Sequence, residues 1–326
     1  MVVYQSPGIV ENGSCECYPK SCVLHQPKLA PRVTLVVKET ALARSRRIPS
    51  TSVTAAHEKK RRLAHGLGDM HATHAAHHAA LATVIAVLGA SGIRPRVRQV
   101  GRTFSEDTCD LVIAVGGDGT FLWASHLLRK VPLLGVNSAP ATSTGFFCVA
   151  TEQTFAQLWA DIAQGLLTPN QITRMCVLRD TEVLADRVLN EALVAAFSPA
   201  AMTRLRLATV VGRARPTHAQ FRSSGVWVGP AAGSSAAIAS AGGQRLPISS
   251  RSMQWVVREP VGGAEQPMAR GLFKKELLVQ IGSRDTRMFV DGGRRPHTLQ
   301  IGDELRFCES KEPLLSWTPS ILAARS

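Results

Sequence analysis

The segment Gly116–Thr120 reads Gly-Gly-Asp-Gly-Thr and directly follows an apolar run that ends at Val115. Glycines bring backbone N–H groups close to an anion, and the positive end of a following helix attracts phosphate. Because a carboxylate repels phosphate, Asp118 suits taking a proton from a hydroxyl or acting through a metal ion. The segment indicates phosphate chemistry, although a strand-to-helix turn with Asp118 as N-cap would contain the same residues.

A second candidate group is Asn190 and Glu191, an amide beside a carboxylate. The carboxylate accepts hydrogen bonds from two hydroxyls, and the amide both donates and accepts. The pair therefore suits a ribose and an adenine edge, and a turn at the protein surface would explain it equally well.

Small residues mark two later segments. Gly-Ser-Ser-Ala-Ala at 233–237 precedes Ser-Ala-Gly-Gly at 240–243, and Asp291-Gly292 follows the apolar run Met288–Val290. Small residues allow close approach of a ligand. A flexible loop and a hairpin turn are the alternative interpretations of these two segments.

Three familiar nucleotide-binding signatures are missing from the sequence. The chain has no G-x4-G-K-[ST] motif, no D-F-G or H-R-D, and no G-x-G-x-x-G after its first predicted strand. A phosphoryl transferase with this sequence would use a different set of residues.

The elements expected around the first glycine segment predict a parallel α/β sheet, because short apolar strands alternate with helices. Strands are expected at Val33–Val37, Val97–Val100, Asp110–Val115 and Val131–Val136, and helices at Ala55–Leu67, Asp69–Leu88, Phe121–Arg129 and Ala156–Gly165. A basic loop containing Arg44, Arg46 and Arg47 is expected after the first strand.

After Thr168 the pattern changes to short β-rich runs separated by turns, which is typical of an all-β sandwich. These runs are Arg174–Leu178, Thr181–Leu184, Val188–Ala196, Arg204–Val211, Gly225–Val228, Met253–Val257, Glu276–Ile281, Arg287–Val290 and Asp303–Cys308. We therefore predict a flexible leader at 1–30, an α/β domain at 31–165, a β-sandwich at 166–300, and a C-terminal segment at 301–326 that packs back on the first domain.

Composition sets wider bounds. The 326 residues suggest about two domains, and 38 Lys and Arg against 24 Asp and Glu give a net charge of +14. Residues 1–110 and 111–326 each contribute +7, so the positive charge is not confined to a basic tail at one end of the chain. A spread excess suits small anionic ligands as well as nucleic acid. Seven cysteines without regular spacing indicate a reducing compartment rather than a disulfide framework.

Two histidine-containing groups are candidate metal sites. Cys15, Cys17, Cys22 and His25 match no familiar zinc spacing, and thiols in a loose leader are the preferred interpretation. His74 and His78 stand one helical turn apart, but without an acidic or Cys partner nearby a polar helix face is preferred.

The order of the motifs is more specific than any one of them. Gly-Gly-Asp-Gly, Leu-Gly-Val-Asn ending at Asn137, Asn-Glu, Gly-Ser-Ser with Ser-Ala-Gly-Gly, and Asp-Gly together resemble the ATP-dependent NAD kinase family. The resemblance spans about Arg32 to Phe307. Three short stretches are most similar to the short plant NADH kinase branch: Ser143-Thr144-Gly145, Ser198-Pro199-Ala200-Ala201 and Ser223-Ser224-Gly225.

The resemblance implies an NAD kinase-like fold and a kinase that transfers the γ-phosphate of ATP to the 2′-hydroxyl of the adenosine ribose of NADH or NAD+, in NADP biosynthesis. It implies Asp118 as general base and Mg2+ or another divalent cation as helper. Homo-oligomers, commonly dimers, are expected as well. The residues implied in binding are Gly116, Gly117, Gly119, Thr120, Asn137, Asn190, Glu191, Gly233, Ser234, Ser235 and Asp291.

The sequence also departs from the family pattern. Many members have Asp at the position of Ser224, Tyr at Ala237 and Thr-Pro-Thr at 230–232, so the NADH versus NAD+ preference stays open. The segment Asn137–Phe147 is shorter than the plant branch leads us to expect, which would affect ATP entry or activity.

Alternative functions and the location were weighed too. Lipid and sugar-phosphate kinases share a Gly-Gly-Asp-Gly loop, and the net charge alone would suit a non-catalytic basic nucleotide-binding protein. We expect no nucleic-acid or membrane partner. We expect a cytoplasmic location, with the peroxisome as alternative, because Ala324-Arg325-Ser326 matches a peroxisomal tripeptide at two positions.

Overall fold

A computed structural model describes residues 30–47, 67–209, 217–292 and 296–318. The leader up to residue 29, its cysteine–histidine group, the helix expected at Ala55–Leu67 (up to residue 66) and the C-terminal tripeptide lie outside the described residues.

The first layer is a seven-stranded sheet in the order β2-β1-β3-β4-β19-β6, with β5 paired to β4. Strands β1 to β5 all run parallel to one another. Strand β19 runs parallel to β4, and β6 runs antiparallel to β19. Strands β1, β3 and β4 are buried along their whole length, as a β-branched run covered on both faces should be. The strands are β1 Val33–Val37, β2 Arg96–Gln99, β3 Leu111–Gly116, β4 Leu133–Asn137, β5 Ala150–Thr151, β6 Asn170–Ile172 and β19 Leu314–Ser316.

The helices of this region are α1 Ala41–Arg47, α2 Leu67–Ala90, α3 Asp118–Ser125 and α4 Phe155–Ala163, with a short 3-10 helix at Glu106–Thr108. The prediction of a basic loop after β1 is wrong, because these residues form helix α1. Thr40 starts this helix: its hydroxyl accepts from Ala43 N–H at 3.2 Å, and its carbonyl accepts from Arg44 N–H at 3.0 Å.

Helix α2 confirms the helix expected at Asp69–Leu88 and explains its histidines. His74 Nδ1 hydrogen-bonds Thr40 Oγ1 at 2.7 Å, and His77 Nδ1 hydrogen-bonds Ser138 Oγ at 2.9 Å. Within the described ranges, no group of three or more metal-ligating side chains occurs. Asp69–Ala90 is also long and apolar enough to cross a membrane, with a mean hydropathy of 1.2, but its buried residues, such as Val84 and Leu88, pack in the core.

The second region contains two six-stranded antiparallel sheets that share one hydrophobic core. Their orders are β11-β10-β15-β18-β7-β8 and β14-β13-β12-β9-β16-β17. The fold class expected from the sequence, an α/β domain plus an all-β sandwich, is confirmed. The strands are β7 Met175–Arg179, β8 Glu182–Val188, β9 Ala192–Ala196, β10 Thr203–Thr209, β11 Thr217–Ser223, β12 Gly225–Pro230, β13 Met253–Arg258, β14 Arg270–Phe273, β15 Glu276–Ile281, β16 Thr286–Val290, β17 His297–Leu299 and β18 Glu304–Glu309.

One predicted strand is divided in the structure, and the division matters for function. Val188–Ala196 was expected to be continuous, but β8 ends at Val188 and β9 begins at Ala192. The residues between them, 189–191, form a loop that faces α3 and the turn after β16. A 3-10 helix at Ala231–Ser235 and the short helix α5, Ala237–Ser240, follow β12.

Candidate active site

The glycine segment forms the turn between β3 and α3. A Cβ on Gly116 would overlap the Thr120 side chain, and one on Gly117 would overlap the Ser143 hydroxyl. A larger residue at either position would therefore force the Thr120 or Ser143 side chain to move. Gly119 has open space around its Cα, so its role is not forced by packing within the protein.

Asp118 is the first residue of α3, and Gly117 is the N-cap. The N-cap alternative for Asp118 is therefore wrong. Its carboxylate oxygen Oδ1 instead accepts from the backbone N–H of Phe147 at 2.9 Å. Among the described residues Phe147 is the donor to this carboxylate, which leaves Oδ2 available for a hydroxyl proton.

A cavity of about 440 Å³ opens beside this carboxylate, a size typical of small-molecule sites. Lys38 and Arg44 bring two cations to it, and burial lowers the pKa of Lys38. Arg44 also lies 3.6 Å from Glu39, so part of its charge is already paired. The lining residues are Lys38, Glu39, Arg44, Val100, Gly117, Asp118, Gly119, Thr120 and Ser143.

Asn137 ends β4 directly opposite Gly116 of β3. Its Nδ2 donates to the Ser143 carbonyl at 2.9 Å, and its Oδ1 accepts from Ala139 N–H at 3.2 Å. Both ends of the amide thus hold the following loop. The structure therefore places Asn137 at the site as a support for its wall.

The short segment Asn137–Phe147 folds over the glycine turn. Ser143 lies against Gly117, and the Phe147 ring stacks on Phe121 of α3 with centroids 5.1 Å apart. Gly145 has φ +61°, and a Cβ there would overlap Asn137. The segment is thus a fixed wall that reaches Asp118 through the Phe147 N–H.

Asp291 organises the second group of residues. Its side chain is 1% exposed, and it accepts from Leu189 N–H at 3.0 Å, Asn190 N–H at 2.8 Å and Glu191 N–H at 3.1 Å. The backbone of Asp291 has φ +45°, in the left-handed region, and its N–H donates to the Glu191 carbonyl at 2.9 Å. The turn after β16 therefore fixes the loop that carries Asn190 and Glu191. This loop is not the surface turn that was the alternative interpretation.

His126 completes this group, and the sequence offered no signal for it. It is the C-cap of α3, and its Nε2 lies 2.6 Å from Asp291 Oδ2, with both side chains buried. The two residues are 165 positions apart, so no spacing rule could join them. His126 links the helix that begins with Asp118 to the loop that carries Glu191.

Glu191 is buried, and its Oε2 has no hydrogen-bond partner among the described residues. Burial raises its pKa to about 7, and the charge of Asp291 adds to the rise. An unsatisfied buried carboxylate is costly, so its persistence points to a ligand that supplies hydroxyl donors.

Gly233 packs on the same loop. A Cβ there would overlap the carbonyl oxygen of Asn190, so the two backbones touch. Ser234 is buried, and its hydroxyl accepts from Leu246 N–H at 2.9 Å, while Ser235 is half-buried. The Gln254 side chain holds Gln244, the residue after the Ser-Ala-Gly-Gly stretch. Its Oε1 accepts from the Gln244 N–H, and its Nε2 donates to the Gln244 carbonyl. The small-residue segment is thus an ordered structure that packs on the loop carrying Asn190 and Glu191.

Helix α3 joins the two groups. Leu189 and Ala232 pack with Phe121 and Ala124 in one buried cluster. Asp118 and His126 lie at opposite ends of α3, about 12 Å apart at 1.5 Å per residue. The predicted residues therefore form two clusters, one near each end of α3, and this helix packs against the loop 189–191 in one buried cluster.

The chain is similar in sequence to known proteins. A family model described as the ATP-NAD kinase N-terminal domain matches residues 24–167. The chain is 36% identical over 227 residues to a probable NADH kinase of Oryza sativa subsp. japonica, covering 63% of this chain and 70% of that protein. It is 36% identical over 228 residues to the NADH kinase of Arabidopsis thaliana, covering 64% and 72%.

Solved structures share the fold. An NAD kinase from Archaeoglobus fulgidus in complex with ATP superposes with a TM-score of 0.59 at 18% identity, over 88% of this chain and 94% of that one. Yeast NADH kinase complexed with NADH gives 0.55 at 18% identity, over 68% and 66%.

Proposed function

Since the chain belongs to the NAD kinase family and is an ATP-dependent kinase of NAD(H), we propose that Asp118 is the base of the reaction. The 2′-hydroxyl of the adenosine ribose is a weak nucleophile until a placed carboxylate takes its proton. The proton passes to Asp118 as the oxygen bonds to the γ-phosphorus of ATP and the bond to ADP breaks. The Phe147 N–H holds Oδ1 and so fixes the direction in which Oδ2 faces.

The glycine turn and the cavity beside it would receive the phosphates. Backbone N–H groups at the start of α3 and the charges of Lys38 and Arg44 suit a polyphosphate. Bound Mg2+ would offset the charge of the triphosphate. Such a cation usually uses one or two carboxylates plus substrate phosphates, and Glu39 lines this cavity.

Glu191 is the observation that carries the dinucleotide site. A buried carboxylate with an unpartnered oxygen, next to the Asn190 amide and the Gly233 backbone, suits the hydroxyls and base edge of an adenosine. Asp291 and His126 hold the loop in place from behind. Serine at 224 and alanine at 237 carry neither a charge nor a ring that would select one redox state, so we expect both NADH and NAD+ to be used.

The cellular setting is part of the proposal. We propose a cytoplasmic homodimer that supplies NADP(H), with the peroxisome as the alternative location. The other functions considered, a lipid or sugar-phosphate kinase and a non-catalytic nucleotide-binding protein, find no support among these relatives, which are NAD or NADH kinases.

A product assay tests the function. Purified protein is incubated with ATP, Mg2+ and either NADH or NAD+, and the product is offered to a dehydrogenase that accepts only the 2′-phosphorylated cofactor. We expect product from both dinucleotides. A folded protein that is inactive with both would contradict the proposal, and retention of lipid vesicles by the inactive protein would favour a lipid kinase.

A further inference from the structure

Cys176 and Cys308 lie directly opposite each other on the adjacent antiparallel strands β7 and β18. The Cα atoms of such a pair are about 4.5–5.5 Å apart, and disulfides span about 4.4–6.8 Å between Cα atoms. The spacing of the two Cα atoms is therefore within the range that a disulfide needs, and directly opposite side chains lie on the same face of the sheet. Both are free thiols in the structure.

The two cysteines also lie on the outer face of the sheet. Their neighbours Val177 and Phe307 are fully buried in the sandwich core, and side chains alternate between the faces of a strand. Both cysteines are accordingly half-buried, and solvent reaches them. A small oxidant can approach this pair, unlike the buried Cys109.

The ionisation of the pair suits thiol exchange. A hydrogen bond from Cys176 lowers the pKa of Cys308, and the cations Arg306 and Lys311 act in the same direction, while burial and the charge of Glu276 oppose them. The same hydrogen bond, with burial, raises the pKa of Cys176. The thiolate is the reactive form of cysteine, so Cys308 is the attacking group.

Another half-buried cysteine shows the contrast. Burial and then the charge of Asp118 raise the pKa of Cys148 to about 12. Cys148 therefore stays protonated near neutral pH and provides a matched control for the pair.

From this arrangement we propose that Cys176 and Cys308 are a thiol-modification site at which a small disulfide oxidant, such as oxidised glutathione, forms a reversible bridge. The Cys308 thiolate attacks one sulfur of the oxidant, whose S–S bond breaks and releases one thiolate. Cys176 loses its proton and attacks the Cys308 sulfur, which releases the second thiolate. Two electrons pass from the cysteines to the oxidant, and their two protons end on the released thiols.

The bridge would lie beside a structural link to helix α3. The Arg174 carbonyl accepts from Ser310 N–H at 2.8 Å, two residues from each cysteine. The Arg174 guanidinium in turn donates to Ser125 and Leu128 carbonyls at the end of α3. Oxidation would therefore fix the strand pair that supports this end of the helix, and we expect a higher melting temperature for the oxidised protein.

Peptide mapping tests the proposal on the full-length protein. After treatment with oxidised glutathione and removal of excess reagent, trypsin releases Met175–Arg179 and Phe307–Lys311, each with one cysteine. We expect these two peptides as one species whose mass is the sum of both less two hydrogens. Reduced glutathione should separate them again.

Three variants provide the controls. Cys176→Ser and Cys308→Ser should each abolish the linked species and the rise in melting temperature, whereas Cys148→Ser should retain both. Wild-type peptides that remain free after oxidation, or that carry only glutathione, would overturn the proposal. Because the wild-type protein alone gives this result, the test stands even where a variant folds poorly.

Discussion

The carboxylates of Asp118 and Glu191 stand in different environments, and this separates their roles. Asp118 lines an open cavity and is held by one backbone N–H, whereas Glu191 is buried with an unpartnered oxygen. An accessible carboxylate can take up a proton during turnover. A buried one binds ligand hydroxyls that replace its missing hydrogen bonds.

Glu191 gives a prediction about pH and stability. Its pKa rises from 4.5 to about 7 on folding, so the folded state favours the protonated form. The protonated form therefore stabilises the fold below about pH 4.5, and this stability is lost as pH rises through about 7. Above that pH, Glu191→Gln should raise the free energy of unfolding by up to about 3 kcal/mol while weakening dinucleotide binding.

Urea unfolding of wild type and Glu191→Gln near pH 8 and near pH 5.5 measures this difference. It should be clearly larger near pH 8. An equal difference at the two pH values would mean that Glu191 ionises freely in the folded protein.

At the scale of elements, part of the site was predictable because its signals are local. An apolar run followed by glycines indicates a strand, a turn and a helix, and β3 and α3 are found there. The divided strand at 188–196 was not predictable, since Asp291, which holds the loop 189–191, is about 100 positions away in the sequence. Strand β11 was missed because its sequence THAQFRS lacks a β-branched run.

His126 is a positioning residue at the end of α3. His126→Phe would leave the buried Asp291 carboxylate without this partner, although its three backbone donors remain. Losing one buried hydrogen bond costs about 1–3 kcal/mol, so we expect KM for the dinucleotide to rise about tenfold or more.

Steady-state kinetics distinguishes positioning from a merely structural effect. KM should rise with kcat nearly unchanged, and His126→Gln, which keeps an N–H donor, should recover most of the affinity. A loss of kcat alone would show that His126 acts elsewhere than on the dinucleotide loop.

Gly233 tests the contact between the two loops of the pocket. Gly233→Ala would place a methyl group on the Asn190 carbonyl and force a backbone to move. We expect dinucleotide affinity to fall at least tenfold, measured by calorimetry. Gly89→Ala, where no atom lies within 4 Å of the added methyl, is the control and should bind normally; equal affinity of the two variants would argue against this contact.

At the scale of the whole molecule, Arg174 connects two regions of the chain. Arg174 is fully buried, and its guanidinium donates to the carbonyls of Ser125 and Leu128 in one region and Glu312 in another. Burial lowers its pKa to about 10. Beyond it, β19 returns to the first sheet beside β4. The segment 301–326 was predicted to pack back on the first domain, but the three residues of β19 carry no pattern that would have located the strand.

Replacing this arginine should destabilise the whole fold. Arg174→Met leaves the carbonyls of Ser125, Leu128 and Glu312 without this donor. Each unpaired buried acceptor costs about 1–3 kcal/mol, so we expect a total loss of about 3–5 kcal/mol. Thermal unfolding should show a fall in Tm of about 6–20 °C, at about 2–4 °C per kcal/mol for a chain of this size. Arg251→Met, which breaks only the exposed pair with Glu309, should shift Tm little.

An unchanged Tm in Arg174→Met would show that other contacts hold the two regions together.

The net charge of +14 fits a molecule whose ligands are polyanions, but the charge alone does not identify the ligand.

The central claim is that Asp118 takes the proton of the 2′-hydroxyl. The most direct measurement compares NADPH formation from ATP and NADH by wild type and Asp118→Asn, with the Kd for NADH measured on the same preparations. The amide keeps the shape of the side chain and cannot accept the proton, so turnover should fall by about 10²–10⁴-fold with Kd within a few-fold. Turnover retained within a few-fold of wild type, at unchanged Kd, would contradict the account.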